Sequence, residues 1–281
     1  MMFRIIKFVG IIAILIFFAC ETSFLGAKAS ERGLVETTAV DPITSCAIGR
    51  WLNNCDIKTA ITRGLFETGL TPVFPEHTSC REIDEGYAIS YSKKRPREMY
   101  HGGIDIPAPW GMPIIAAAAG EVVGVYHGND SPRGVEIVLR HSPEDTGIPL
   151  WIYTQYTHFS EIPSLKVGQR VRMGEILGKT GNSGISPFTG KQSNKRRPAL
   201  HFGVFYSVSS EYANFGDRII QVDGHWMDPV ALFRKELPLD SISMKALPEM
   251  KKQIPISVML DNGEAFPANT KLVWPYACMQ K

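Results

Sequence analysis

The chain has 281 residues, enough to bury one core of ordinary size with attached segments, or two modest ones. Thirty Lys and Arg against 28 Asp and Glu leave a formal net charge of +2, so bulk charge gives no reason to expect a nucleic-acid binder. No cysteine sits in a Cys-x-x-Cys pattern, which argues against a cysteine-built zinc or redox centre.

In chain order, Arg4 and Lys7 precede an uncharged apolar run from Phe8 to Ala19, the n-region and h-region of a secretory signal. Ala27-Lys28-Ala29 before Ser30 fits ordinary cleavage and favours simple secretion, with residues 1–29 as signal peptide. Ala19-Cys20 fits the end of a lipoprotein signal instead, which would leave the chain lipid-anchored in the cell envelope. The 12-residue run is short for a membrane span, which needs about 20. Cys46, Cys55, Cys80 and Cys278 remain after either cleavage, and an even set in an exported chain reads as two disulfides. Of three possible pairings we prefer Cys46 with Cys55 and Cys80 with Cys278; buried free thiols are the alternative.

Residues 30–80 read as an N-terminal helical arm, with apolar positions at Ile48, Leu52, Ile57, Ile61 and Leu65 before Gly69 and Pro72 end the pattern. Such an arm is a candidate for covering a site as an autoinhibitory segment. His77 falls in a loop. Residues 81–235 change to short segments broken by Gly and Pro: Tyr87–Tyr91, Ile114–Tyr126, Val135–Leu139, Trp151–His158, two brief strands within Val167–Gly178, and Ala199–Tyr206. This spacing predicts a mainly β domain, an antiparallel β-sandwich or barrel. A basic turn (Lys93, Lys94, Arg95, Arg97) and a basic loop (Lys191, Lys195, Arg196, Arg197) interrupt it; the loop is either a solvated surface or a lip attracting anionic substrate. His127 and His141 are assigned to the surface. Val230–Leu237 reads as a short closing helix. In the extension 236–281, Ile256–Leu260, Asp261-Asn262-Gly263 and Lys271–Trp274 read as a hairpin with an Asn-Gly turn.

The chemistry gathers in a few ordered motifs. His101-Gly102-Gly103-Ile104-Asp105 puts an imidazole and a carboxylate, both acceptable to zinc, on a glycine-rich segment. Tyr156-Thr157-His158-Phe159-Ser160, a glycine-turn stretch from Gly168 to Gly184 with Gly181-Asn182-Ser183-Gly184, and Leu200-His201-Phe202 follow. This ordered set resembles the lysostaphin/LytM-type zinc endopeptidases, which cut peptides of bacterial peptidoglycan, over about 83–233. The resemblance implies the hybrid-barrel fold of that family (the duplicated hybrid motif), with His101, Asp105 and His201 binding one Zn2+ and water in the fourth place. It implies His158 as a catalytic histidine beside that water.

One departure stands out. The family closes on His-x-His, whose first histidine is a second catalytic group; here Ala199 holds that place. An alanine can neither give nor take a proton, and losing a positioned acid or base costs about 100- to 10,000-fold in rate. His225 is a candidate to fill the gap. The sequence therefore supports two functions: an exported zinc metalloendopeptidase acting on peptidoglycan, and a catalytically silent relative that binds peptidoglycan or activates a partner cell-wall hydrolase. A lipoyl or biotinyl carrier, suggested by the glycine turns, lacks the Met-Lys-Met triplet; Ser243-Met244-Lys245 comes nearest.

Overall fold

The computed structural model describes residues 33–49, 55–89, 101–128, 130–186, 189–192 and 196–281. The expected signal peptide, the basic turn at 93–97, Leu52, Tyr91 and Lys195 lie outside the described residues. Among the described residues no helix is long and apolar enough to cross a membrane.

The described residues begin with β1 (Leu34–Val35), α1 (Pro42–Gly49), α2 (Ile57–Thr62), β2 (Thr71–Val73) and β3 (Thr78–Ser79). It continues through β4 (Ile104–Pro107), β5 (Pro113–Ile115), β6 (Gly120–Tyr126), β7 (Glu136–His141), the one-turn α3 (Pro143–Thr146), β8 (Trp151–Thr157), β9 (Arg170–Val171), β10 (Ile176–Lys179) and β11 (Ala199–Ser207). Then come β12 (Tyr212–Asn214), β13 (Ile219–Gln221), β14 (His225–Met227), α4 (Ser241–Lys245), β15 (Gln253–Pro255), β16 (Val258–Met259), β17 (Ala265–Phe266) and β18 (Met279–Gln280). The fold is mainly β, as the short punctuated segments predicted, and its sheets are open.

A seven-stranded antiparallel sheet runs β14-β11-β8-β7-β6-β9, with β4 on the same edge of β11 as β14. The longest strand, β11, is its organising element. Leu200, Phe202 and Val204 alternate into the core, and Phe202 packs on Tyr156 of β8 with ring centroids 5.2 Å apart. β4 pairs only with the start of β11 (Ala199 to Phe202) and β14 only with its end (Val204 to Tyr206).

Arm, sheet and tail share one hydrophobic cluster, from Val40 through Phe202 to Tyr276. β2 pairs with β15 and β3 with β18, and Trp274 is fully buried between Phe74 and Phe233. The disulfides join Cys46 to Cys55 and Cys80 to Cys278, the preferred pairing. The second spans 198 residues, and a loop that long restricts the unfolded chain strongly. Replacing Cys80 and Cys278 together by Ser is expected to lower unfolding free energy by about 3 kcal/mol. Equal urea midpoints for the two proteins would show that the tail is held by packing alone.

Several expectations are corrected. The arm's single helical pattern is two short helices, α1 and α2. Around Tyr87 there is a turn rather than a strand, with Ala88 at φ 51°. The closing helix is one 3-10 turn, Ala231–Arg234. The tail hairpin turns at Asn262-Gly263, with Gly263 at φ 86°, but pairs β16 with β17, not with Lys271–Trp274. The latter segment is apolar enough to enter the core, where Val273 N–H donates to Ala117 O and Trp274 N–H to Ser257 O.

His141 is buried, not on the surface: its Nδ1–H donates to Ala119 O at 2.6 Å, and its Nε2 lies 2.7 Å from the Thr154 hydroxyl. Burial pushes its pKa down to about 4. An unfolded chain takes up this proton near the ordinary histidine range, so the neutral ring stabilises the fold fully above about pH 6.5. That contribution, on the order of 3 kcal/mol, is lost as pH falls from there to the folded value. A His141→Gln variant should lose less stability than the parent between pH 7 and 4 in urea titrations; parallel losses would contradict this.

Candidate metal centre

The register of three strands builds the centre. His201 on β11 lies directly opposite Asp105 on β4 and Thr157 on β8, and residues opposed across an antiparallel pair face the same side. The Asp105 carboxylate therefore meets the His201 ring, with Oδ1 3.0 Å from Nδ1. His101, three residues before β4, folds back so that its Nε2 lies 2.8 Å from His201 Nδ1 and 3.2 Å from Asp105 Oδ1. Among the described residues these three form the cluster whose donor atoms converge as a metal site requires.

The surroundings fix the orientation of each ring. His101 Nδ1–H donates to Gly86 O at 3.1 Å, which turns Nε2 inward as the atom with the lone pair. The segment carrying Gly86 is itself sewn to the site, since Asp105 N–H donates to Glu85 O and Ala88 N–H to His101 O. Gly103 supplies the space: a Cβ there would lie 2.5 Å from Phe202 O and 2.8 Å from His201 Nε2. Any side chain at Gly103 displaces the His201 ring.

Charge follows from this geometry. Burial disfavours ionised Asp105, but the two imidazoles outweigh it and hold the carboxyl well below the ordinary range. Burial also opposes protonation of His101, and the carboxylates of Asp105 and Glu85 more than reverse that, raising its pKa. A negatively charged oxygen beside two imidazole nitrogens is a donor set for a divalent cation.

His158 follows β8 with φ 68°, in the left-handed region. Its neighbour Thr157 opposes His201, so a regular strand would turn His158 to the other face; the left-handed residue ends the strand instead. The His158 ring lies 6.1 Å from that of His201. Its Nδ1–H donates to Ser183 O at 2.9 Å, and its Nε2 accepts from the Arg196 guanidinium at 2.7 Å. Burial, and after it the Arg196 charge, hold its pKa well below the ordinary histidine value, so the ring is neutral.

Ala199 stands two residues before His201 on the same face of β11, buried, and presents a methyl group. His225 does not fill its place. It opposes Tyr206, at the far end of β11, where it stacks on that ring at 5.3 Å and meets Arg63. Tyr206 lies five residue steps along the strand from His201, roughly 17 Å, and the compensating role is withdrawn.

Sequence reasoning missed Gly86, and it named Arg196, Ser183 and Gly103 only as members of a basic loop, a glycine turn and a glycine-rich segment, without their part in the site. The Gly-Asn-Ser-Gly turn carried the signal for two of them: Ser183 O holds His158, and Asn182 Nδ2–H donates to Arg196 O at 3.0 Å. In the basic loop Arg197 is ion-paired with Asp84, while Lys191 is exposed.

An open antiparallel β-fold with a His/Asp/His donor set and a neutral histidine beside it has the makings of a mononuclear metal centre. Residues 99–214 match the sequence pattern of Peptidase family M23. The chain is 32% identical over 106 residues to the Cell division protein DipM of Caulobacter vibrioides, covering 37% of this chain and 14% of that one. It is 36% identical over 86 residues to an uncharacterized metalloprotease of Haemophilus influenzae, covering 31% and 16%. Both curated relatives are thus matched over less than a fifth of their length. The catalytic domain of the antimicrobial peptidase lysostaphin from Staphylococcus simulans is similar at 28% identity, with 40% of this chain and 71% of that one covered and a TM-score of 0.30.

Proposed function

We propose that the chain is an exported zinc metalloendopeptidase that hydrolyses peptide bonds in bacterial peptidoglycan. The observation that carries the reading is the convergence of His101 Nε2, Asp105 Oδ1 and His201 Nδ1, mutually 2.8 to 3.2 Å apart. Tetrahedral zinc, with bonds of about 2.0–2.2 Å, sets its ligand atoms roughly 3.3 Å from one another. Two imidazoles and one carboxylate suit it, and three protein ligands are the number a catalytic site uses. When bound, zinc supplies a Lewis acid for the scissile carbonyl and brings the pKa of water to about 7.

The chain's own side chains do the rest. The neutral His158 ring is held by Ser183 O with Nε2 as its basic nitrogen, in the tautomer needed to take a proton from an attacking water. The shared family and the two disulfides support an envelope or extracellular location. Mass spectrometry of secreted protein starting at Ser30 fits simple cleavage; a lipid on Cys20 fits the anchored form; intact Met1 in the cytoplasm contradicts export.

A second reading, a silent relative that binds peptidoglycan or activates a partner hydrolase, is favoured by two observations: the methyl group of Ala199, and the guanidinium seated on His158 Nε2. One experiment separates the two readings. Zinc-loaded protein is incubated with purified peptidoglycan and soluble muropeptides are counted by chromatography. Release by the natural chain, raised further in Ala199→His, is the expected result. Release by Ala199→His alone overturns the enzyme reading in favour of the silent one.

A further inference from the structure

We infer that Arg196 is the cationic hydrogen-bond donor that serves in the place left by Ala199, directed at the oxyanion that forms on a scissile carbonyl. The inference deepens the peptidase reading above and rests on it. Three residues upstream of Ala199, the Arg196 side chain reaches the Nε2 edge of the His158 ring, its Nη2 2.7 Å from Nε2 and its Nη1 donating to Pro132 O at 3.3 Å. That ring is in turn 6.1 Å from His201, so the guanidinium stands at the edge of the metal centre. The base of the side chain is held in place: Asn182 donates to Arg196 O, and the next residue, Arg197, is ion-paired with Asp84.

A guanidinium suits the task because it stays charged at every working pH and carries five N–H donors in one plane. Ala199 offers no donor, and an oxyanion without one loses a large share of its stabilisation. In hydrolysis the water oxygen bonds to the carbonyl carbon while the C=O π pair moves onto the oxygen. The water proton passes to His158 Nε2; the oxyanion pair then re-forms C=O, the C–N bond breaks with its pair on nitrogen, and the departing amine takes the proton from Nε2. Nε2 has one lone pair, so the Arg196 N–H leaves it for the carbonyl oxygen as the water proton arrives, and stays on that oxygen while it is anionic.

The test compares two probes by calorimetry on the full chain loaded with zinc. One is an N-acetylated phosphinic pseudodipeptide of glycine, whose tetrahedral anionic centre imitates the oxyanion and whose lack of side chains keeps pocket effects out. The other is N-acetyl-triglycine, whose reacting centre is a planar amide. In Arg196→Ala the phosphinate binds about 100-fold more weakly than in the parent, the amide binds as before, and zinc stays at one per chain. Arg196→Lys, which keeps the charge and loses the planar fork, falls between. Equal phosphinate affinity in parent and Arg196→Ala, equal weakening of both probes, or no phosphinate binding by the parent each overturns the assignment. A parent that binds phosphinate through Arg196 yet releases no muropeptides supports the donor assignment and defeats the peptidase reading alone.

Discussion

His201→Ala is expected to lower zinc affinity by at least about 100-fold and to bring muropeptide release to background. Losing a group that merely orients a ligand already costs 10- to 100-fold in metal affinity, and His201 is a proposed ligand, set by the register of β11 directly opposite Asp105. The register puts His225 at Tyr206, out of reach of the place His201 would leave. The variant keeps its fold because Leu200 and Phe202, on either side, face the core and hold the strand. Zinc content after dialysis against a weak chelator, with circular dichroism to verify folding, gives the answer. Full zinc retention by a folded His201→Ala would remove this histidine from the ligand set.

His158→Asn should separate chemistry from metal binding. Asparagine tolerates the left-handed backbone that His158 adopts at φ 68°, so the turn after β8 survives where alanine would strain it. The expected outcome is one zinc per chain and a fall in kcat of about 100- to 10,000-fold, the usual worth of a positioned general base. A fall of less than about threefold would mean that the ring only supports Arg196, and the proton would need another acceptor.

How much of this could be read from the sequence depends on how local each feature is. His101 and Asp105 stand out as an imidazole and a carboxylate on a glycine-rich segment, whereas His201 joins them only through the resemblance of the ordered motifs. The strands were legible locally: β6, β8 and β11 carry β-branched and aromatic runs that need no distant partner to be recognised. His225 misled because proximity to the site depends on which end of β11 its strand pairs with, and register is a long-range property. His141 misled for a related reason. Its partners, Ala119 O and the Thr154 hydroxyl, sit on other segments, and only their meeting makes a buried neutral ring stable.

Arg196 was hidden by its neighbours. Within Lys195-Arg196-Arg197 it reads as one of several charges on a solvated surface or an anion-attracting lip, and only the fold directs this one to His158 while Arg197 turns to Asp84. Trp274 shows the opposite case. Its apolar stretch suited a strand of the tail hairpin, but a large indole placed between Phe74 and Phe233, with Nε1–H donating to Arg81 O, contributes more as a core plug than as an edge residue.

The central claim is one divalent ion held by two imidazoles and one carboxylate. Its most direct test is anomalous diffraction at the zinc absorption edge from crystals of zinc-loaded protein. A single strong peak bounded by His101 Nε2, Asp105 and His201 Nδ1 is the predicted result. A zinc peak elsewhere on the chain, with none among these three, would contradict it.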